Sequence, residues 1–361
     1  MFLVDLGKQL EQWARRKLDK DKIYEIRYTT TWRCNSKCES CYIWNIPPSK
    51  EKELTIDELD EFTRCSLLRD VRRIVFSGGE PTMRDDLPEI FSVFHKNCPK
   101  AYFGITLNGL MPERTCDMIE RIITENPGIE LRNVGLSING PEEIHDVTRG
   151  IKGAFRKTMK TYELIKDMVP TRFSFTFLPE NFEYFEWTQK FAEEHGTEAY
   201  LCWTVFSDRF SSKNLDGFTL NHPKIKEQLN AHCKRKRGGT FRRYDLIVSY
   251  LYNHFLNHEP IECYAGRQFF HIDPYGDVYP CNFIEFVEEN SFGNIKDTDL
   301  CTIWENRDKK ILDKIDNRTC QYTEYGLCGD SDLYYSVVAN IPEVLRWHIQ
   351  RFMQGKKKLI D

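Results

Sequence analysis

Three cysteines stand close together in TTTWRCNSKCESCYIW: Cys34, Cys38 and Cys41. Thiolate is a soft ligand, suited to iron–sulfur clusters and zinc, and three of them within eight residues can hold three irons of a [4Fe-4S] cluster while the fourth stays open. An open coordination position separates a catalytic metal site from a closed structural one. The alternatives are a structural zinc site or three unrelated cysteines. A zinc site would want a fourth Cys or His nearby, and the next candidates, Cys65 and His95, are remote. A second set lies downstream, where Cys263 and Cys281 bracket FFHIDPYGDVYP and Cys320 and Cys328 follow. Four thiolates fill a closed cluster or zinc site.

These residues need elements to hold them. Apolar or β-branched runs at Ile23 to Thr31, Arg73 to Phe76, Tyr102 to Leu107, Leu131 to Ile138, Thr171 to Leu178 and Ala199 to Val205 read as strands. Helical spacing at Ile56 to Leu68, Leu87 to Phe94, Thr115 to Ile123, Phe155 to Met168 and Tyr184 to Glu194 alternates with them. The alternation predicts an α/β fold, a partial (β/α)6 TIM-like barrel of βαβ units, with Cys34 at the carboxyl end of the first strand, where such folds place chemistry. An amphipathic helix is expected over 1–21, the barrel over 22–240 (core 22–205, connecting insert 206–240), a module of β-hairpin plus helices over 241–330, and a terminal helix over 331–361. Within the module, one helix is expected at Leu300 to Ile315.

Composition sets the bounds. The 361 residues are 40% hydrophobic and 29% charged, so the chain has ample material for a core and is not disordered. A net charge of -4 gives no bulk attraction to nucleic acid. No apolar run approaches the roughly 20 residues of a membrane-spanning helix. Met1 to Leu18 lacks a signal peptide's order of regions, which predicts a cytoplasmic location; there, 13 cysteines point to metal rather than to disulfides.

The spacing Cys-x3-Cys-x2-Cys after a first strand resembles the radical S-adenosylmethionine (radical SAM) superfamily, and further segments agree. Ser77-Gly78-Gly79-Glu80-Pro81 looks like that family's Gly-Gly-Glu-Pro segment, Thr106-Leu107-Asn108-Gly109 its Thr-Asn-Gly, and Ser137-Ile138-Asn139-Gly140 followed by HDVTRG its Ser-x-Asp-Gly…His-Asp-x-x-Arg-Gly stretch. Asn139 stands where the family usually has Asp. The resemblance implies Cys34, Cys38 and Cys41 as cluster ligands; Gly78, Gly79 and Glu80 at the methionine end of S-adenosylmethionine; Ser137 and Asn139 at its ribose; and Arg149 at its carboxylate. Asn108 belongs to the same binding region, Tyr42 supplies a flat surface in place of the residue often aromatic at Ser40, and Asn181 is either a further contact or a helix N-cap. Cys263, Cys281, Cys320 and Cys328 resemble the auxiliary-cluster extension of the superfamily, the SPASM or shorter twitch module, and imply a second [4Fe-4S] cluster. An electron donor such as flavodoxin or ferredoxin is implied as well.

The implied reaction is reductive cleavage of S-adenosylmethionine, with hydrogen abstraction from a polar small molecule or cofactor precursor and the auxiliary cluster accepting the second electron. The alternatives are modification of a peptide side chain and, through basic-flanked terminal helices resting on a membrane surface, action on a lipid. Cys301 is a substitute ligand by sequence and a core thiol by its apolar neighbours. Cys202, ending the sixth strand, reads as a buried thiol; Glu180, Asp208, Arg209 and the run Lys234 to Arg237 read as solvated charges.

Overall fold

The computed structural model describes residues 19, 21–38, 40–41, 43–45, 47–202, 223–234, 250, 253, 262–281, 290–317, 322–323, 326–327 and 341–353. Six parallel strands follow chain order: β1 Glu25–Thr29, β2 Arg73–Ser77, β3 Tyr102–Leu107, β4 Leu131–Ser137, β5 Thr171–Thr176 and β6 Ala199–Cys202. Between them lie α1 Ile56–Thr63, α2 Leu87–Asn97, α3 Pro112–Glu125, α4 Glu142–Arg149, α5 Ala154–Ile165 and α6 Phe185–Glu194. Each strand pairs with its sequence neighbour, which is the partial barrel of βαβ units expected.

Strand alternation explains the layers. Ile26 and Tyr28, Ile74 and Phe76, and Phe103 and Ile105 join one apolar core with the inner faces of α1 to α3. The intervening side chains, among them Glu25, Arg27, Thr29, Ser77 and Thr106, take the opposite, polar face. Caps set the helix bounds. A Thr55/Glu58 capping box starts α1, and Pro112 occupies the first position of α3. The α4 helix is absent from the sequence reading because its buried residues are His145 and Thr148, while Val147 is exposed, so no apolar stripe marks it.

Three features of the carboxy-terminal part differ from expectation. The hairpin forms as read, from β7 Phe269–Ile272 and β8 Asp277–Tyr279, its turn tied by Asp273 Oδ1 accepting from the Tyr275 and Asp277 N–H groups at 2.8 and 2.9 Å. Yet β7 also pairs parallel with β1, Glu25 opposite Phe269, so the hairpin and β9 Gly293–Asn294 extend the barrel sheet to nine strands. In the stretch read as an insert, α7 Pro223–Lys234 packs beside α6, where the Glu186 N–H donates to Gln228 Oε1 at 2.9 Å. The helix expected at Leu300 to Ile315 is two helices, α8 Leu300–Glu305 and α9 Lys309–Asp316, because Asp308 caps a new start by accepting from the Lys310 N–H at 2.7 Å. The short pair β10 Tyr322–Thr323 and β11 Gly326–Leu327 and the last helix α10 Ile341–Met353 complete the described chain. The amino-terminal helix, Tyr42, Asp208, Arg209, Cys320 and Cys328 lie outside the described residues.

Candidate active site

The loop after β2 is zipped onto the segment that leads out of β1. The Thr30 N–H donates to Ser77 O, the Gly79 N–H to Thr31 O and the Glu80 N–H to Arg33 O, each at 2.8 Å. This register is open only to glycine. A Cβ on Gly78, whose φ is +148°, would meet Thr31 O at 2.6 Å, and one on Gly79 would meet Arg33 O at 2.1 Å. The backbone approach that these glycines permit is therefore taken, on their Cα side, by the residues preceding Cys34. Buried polar groups lock the same segment. Glu53 accepts from Thr31 Oγ1 and pairs with Arg33 at 3.2 Å, while Arg84 donates to Thr30 O at 3.2 Å and Leu54 O at 2.8 Å and pairs with Asp86. Sequence reasoning missed Glu53 and Arg84; the adjacency of Arg33 to Cys34 was the one available signal.

The cysteine loop docks on the carboxyl end of α4. The Lys37 N–H donates to Arg149 O at 3.0 Å, Ser36 Oγ lies 3.1 Å from the same oxygen, and Gly150 follows at φ +63°, where a Cβ would also lie 2.3 Å from Lys37 O. The Ser36 N–H donates to Cys34 Sγ at 3.5 Å, and Ser36 Oγ lies 3.1 Å from Cys38 Sγ. Burial, with a smaller contribution from the neighbouring Cys38, pushes the Cys34 thiol up to about 11 and the Cys41 thiol to about 12. The Arg149 charge opposes those shifts at Cys34, Cys41 and Glu80. Its buried Nε has no hydrogen-bond partner. Among the described residues, no three His, Cys, Asp or Glu side chains converge tightly enough to share one ion.

Glu80 is buried, and burial raises its carboxyl while bonds to Thr82 and the Asn108 N–H pull it back. Its two oxygens accept from Thr82 N at 3.2 Å, Thr82 Oγ1 at 2.5 Å and Asn108 N at 2.7 Å. Of about four lone-pair positions on a carboxylate, one remains for a ligand's ammonium group. Asn108 bonds Asn35 at 2.7 Å and reaches to 4.0 Å from Cys34 Sγ.

Asn139 is turned inward. Its Nδ2 donates to Thr148 Oγ1 at 3.3 Å, and Thr148 gives its own proton to His145 O, so the acceptor-only Asp usual in the family would find no donor there. Its Oδ1 accepts from the Thr176 N–H at 3.2 Å. Asn181 stands at an N-cap position without a side-chain cap bond; it staples the loops after β4 and β5 by bonding Asn139 O, Thr176 O and the Leu178 N–H. His145 Nδ1 accepts from the Asn139 N–H at 3.1 Å, and burial followed by the Arg149 charge lowers its pKa to about 3, so the ring is neutral. Ser137 ends β4, half-buried, opposite Ser174.

Cys263 and Cys281 lie at the other end of β1. They share an apolar cluster with Tyr264, Phe269, Ile311 and Ile315, against which Tyr24 packs. The Ala265 N–H donates to Cys263 Sγ at 3.5 Å, and the Gly266 N–H is held by Phe269 O at 2.8 Å. Cys301 sits instead against Cys65, whose thiol is raised to about 12 by burial and by that contact.

Residues 28–192 match the model of the radical SAM superfamily, and residues 263–330 match SPASM, an iron-sulfur cluster-binding domain. The chain carries a radical SAM domain followed by a SPASM domain. Among curated relatives, it is 34% identical over 146 residues to Fe-coproporphyrin III synthase of Methanosarcina barkeri, over 39% of this chain and 33% of that one. It is 24% identical to AdoMet-dependent heme synthase of Oleidesulfovibrio alaskensis, over 84% and 81% of the two chains, and 26% identical to PqqA peptide cyclase of Gluconobacter oxydans, over 76% and 74%. The first relatives matched are spanned over only 33% to 41% of their length. Streptococcus suis SuiB bound to precursor peptide SuiA shares the fold at TM-score 0.56 and 14% identity, over 86% of this chain and 71% of that one. So does anSMEcpe with bound AdoMet and Cp18Cys peptide, at 0.54 and 17%, over 92% and 98%.

A radical SAM domain takes a [4Fe-4S] cluster and S-adenosylmethionine, and a SPASM domain takes auxiliary iron–sulfur cluster. The residues present suit both. Soft thiols are grouped at each end of β1, and the orphaned Arg149 Nε beside the first group suits an anionic ligand. No helix among the described residues is long and apolar enough to cross a membrane.

Proposed function

We propose that this radical SAM enzyme abstracts hydrogen from a polar small molecule or cofactor precursor, and that its SPASM-side cluster accepts the second electron. The first cluster and S-adenosylmethionine, when bound, supply reductive cleavage and the 5′-deoxyadenosyl radical. Cys34, Cys38 and Cys41 hold that cluster. Arg149 binds the methionine carboxylate, and the free lone pair of Glu80 takes the ammonium group. Gly78 and Gly79 shape this end by fixing the Cys34 loop. Ser137 is the ribose contact, while Asn139 and Asn181 act behind it by fixing the strand ends to which they bond. Tyr42 and Asn108 complete the binding region. Cys263 and Cys281, with Cys320 and Cys328, hold the auxiliary cluster. An electron donor such as flavodoxin or ferredoxin, barrel limits of 22–240, module limits of 241–330 and a cytoplasmic location belong to the same reading.

The observation that supports a polar substrate is the buried polar face of β1, the strand between the two cysteine groups, which carries Glu25, Arg27 and Thr29. Arg27 and Arg73 pair with Glu25 at 2.7 and 2.9 Å, the Arg27 guanidinium lies 4.8 Å over the Phe269 ring, and Thr29 Oγ1 meets His271 Nε2 at 3.2 Å. Such fixed polar groups orient a small ligand by directed hydrogen bonds. Likeness to PqqA peptide cyclase over three quarters of the chain supports peptide modification as the second reading.

The test is release of 5′-deoxyadenosine by the reduced, anaerobically reconstituted enzyme. A dialysable cell fraction is expected to raise it above the buffer background, and a protein-only fraction is not. The reverse result selects the peptide reading, and no 5′-deoxyadenosine under any condition contradicts both.

A further inference from the structure

We infer that Ser36 holds up the reduction potential of the first cluster by donating its hydroxyl proton to the Cys38 sulfur; this rests on Cys34, Cys38 and Cys41 being the ligands. Ser36 is 1% exposed, and its Oγ has two neighbours, Cys38 Sγ and Arg149 O, both at 3.1 Å. A serine has one proton to give. An iron-bound cysteine sulfur has none, so across the Ser36–Cys38 contact only the serine can donate. Of its two acceptors the sulfur carries negative charge and the carbonyl does not, and a charged acceptor roughly doubles the strength of the bond. The carbonyl is not left bare, because the Lys37 N–H still donates to it at 3.0 Å.

The same residue's backbone N–H donates to Cys34 Sγ at 3.5 Å, so Ser36 addresses two of the three ligands. Asn108 comes within 4.0 Å of Cys34 Sγ, but its amide is committed to Asn35 at 2.7 Å and contributes less. Hydrogen bonds to the sulfurs are among the levers that set a cluster's potential. Reduction adds one electron, part of whose density falls on the thiolate sulfurs, and a donor aimed at them stabilises the reduced form more than the oxidised. Ser36 therefore eases arrival of the electron while no bond at Ser36 breaks. It is a positioning residue, acting through Cys38.

The test is a reductive titration of the reconstituted holoenzyme followed by electron paramagnetic resonance, using the signal that changes on addition of S-adenosylmethionine. Ser36→Ala is expected to keep its iron and its S-adenosylmethionine affinity, with the ratio of reduced to oxidised cluster at fixed potential falling about tenfold, a shift of about 59 mV for one electron. Ser36→Thr, which keeps the hydroxyl, is expected to restore the parent value. Where the alanine variant takes up no iron, Ser36→Gly carries the same expectation. A variant without the hydroxyl that holds iron at the parent midpoint overturns the inference. A parent enzyme with no S-adenosylmethionine-responsive signal overturns the ligand assignment instead.

Discussion

The two cysteine groups sit at opposite ends of one strand and are held by different physics. At the carboxyl end of β1, the loop of Cys34, Cys38 and Cys41 is fixed by directed backbone bonds from the loop after β2 and to the end of α4, and by the buried Glu53 and Arg84. At the amino end, Cys263 and Cys281 are set in an apolar cluster beside the hairpin, with Tyr264, Phe269, Ile311 and Ile315. Hydrogen bonds fix direction, whereas apolar packing fixes volume. A site that must present an open iron to a small ligand needs the first, and a closed cluster whose coordination is complete needs only the second. With the ligand roles proposed above, the difference teaches that the first group is built for positioning and the second for enclosure.

Ways to break that contrast can be ranked by their expected effect on S-adenosylmethionine cleavage. Gly79→Ala comes first. Its Cβ would lie 2.1 Å from Arg33 O, a backbone atom that can yield only by moving the cysteine loop. Misplacement on this scale costs roughly 100-fold in rate, so 5′-deoxyadenosine formation is expected to fall by that factor and iron content to drop with it. Gly150→Ala is next, with about a tenfold loss from a strained left-handed residue and a Cβ 2.3 Å from Lys37 O. Rapid loss of iron on gel filtration would report it.

Glu25, the first residue of β1, is expected to act on stability before chemistry. Burial alone would raise its carboxyl, but Arg73 and Arg27 beside it hold the pKa below the ordinary 4.5. The ion pairs therefore stabilise the fold fully above that value, and the contribution is lost as pH falls through the lowered one. Glu25→Gln should cost about 3 kcal/mol at neutral pH by leaving two guanidinium groups without their carboxylate. In thermal melts, the gap between parent and variant should narrow on acidification. The smallest effect on cleavage is expected from Cys263→Ala with Cys281→Ala, within about twofold of the parent, while about four irons are lost.

The barrel was legible because its strands carry apolar residues at alternate positions and its outer helices carry apolar stripes, a pattern that needs no partner to be seen. The cysteine groups were legible through spacing. What escaped was whatever depends on backbone proximity between segments distant in sequence. That β7 would pair with β1 cannot be read from FFHI, since any buried strand offers the same run. That Gly78 and Gly79 face Thr31 and Arg33, and that Asn139 spends its amide on Thr148, follow from how the loops meet. The α4 helix hid because its buried face is made of His145 and Thr148.

The most direct test is iron content and cleavage measured together on two variants. The parent should carry about eight irons; substituting Cys34, Cys38 and Cys41 with alanine should leave about four and abolish 5′-deoxyadenosine, whereas substituting Cys263 and Cys281 should leave about four and preserve it. Equal loss of cleavage in both variants, or an iron content that neither changes, would contradict two separately held clusters at the ends of β1.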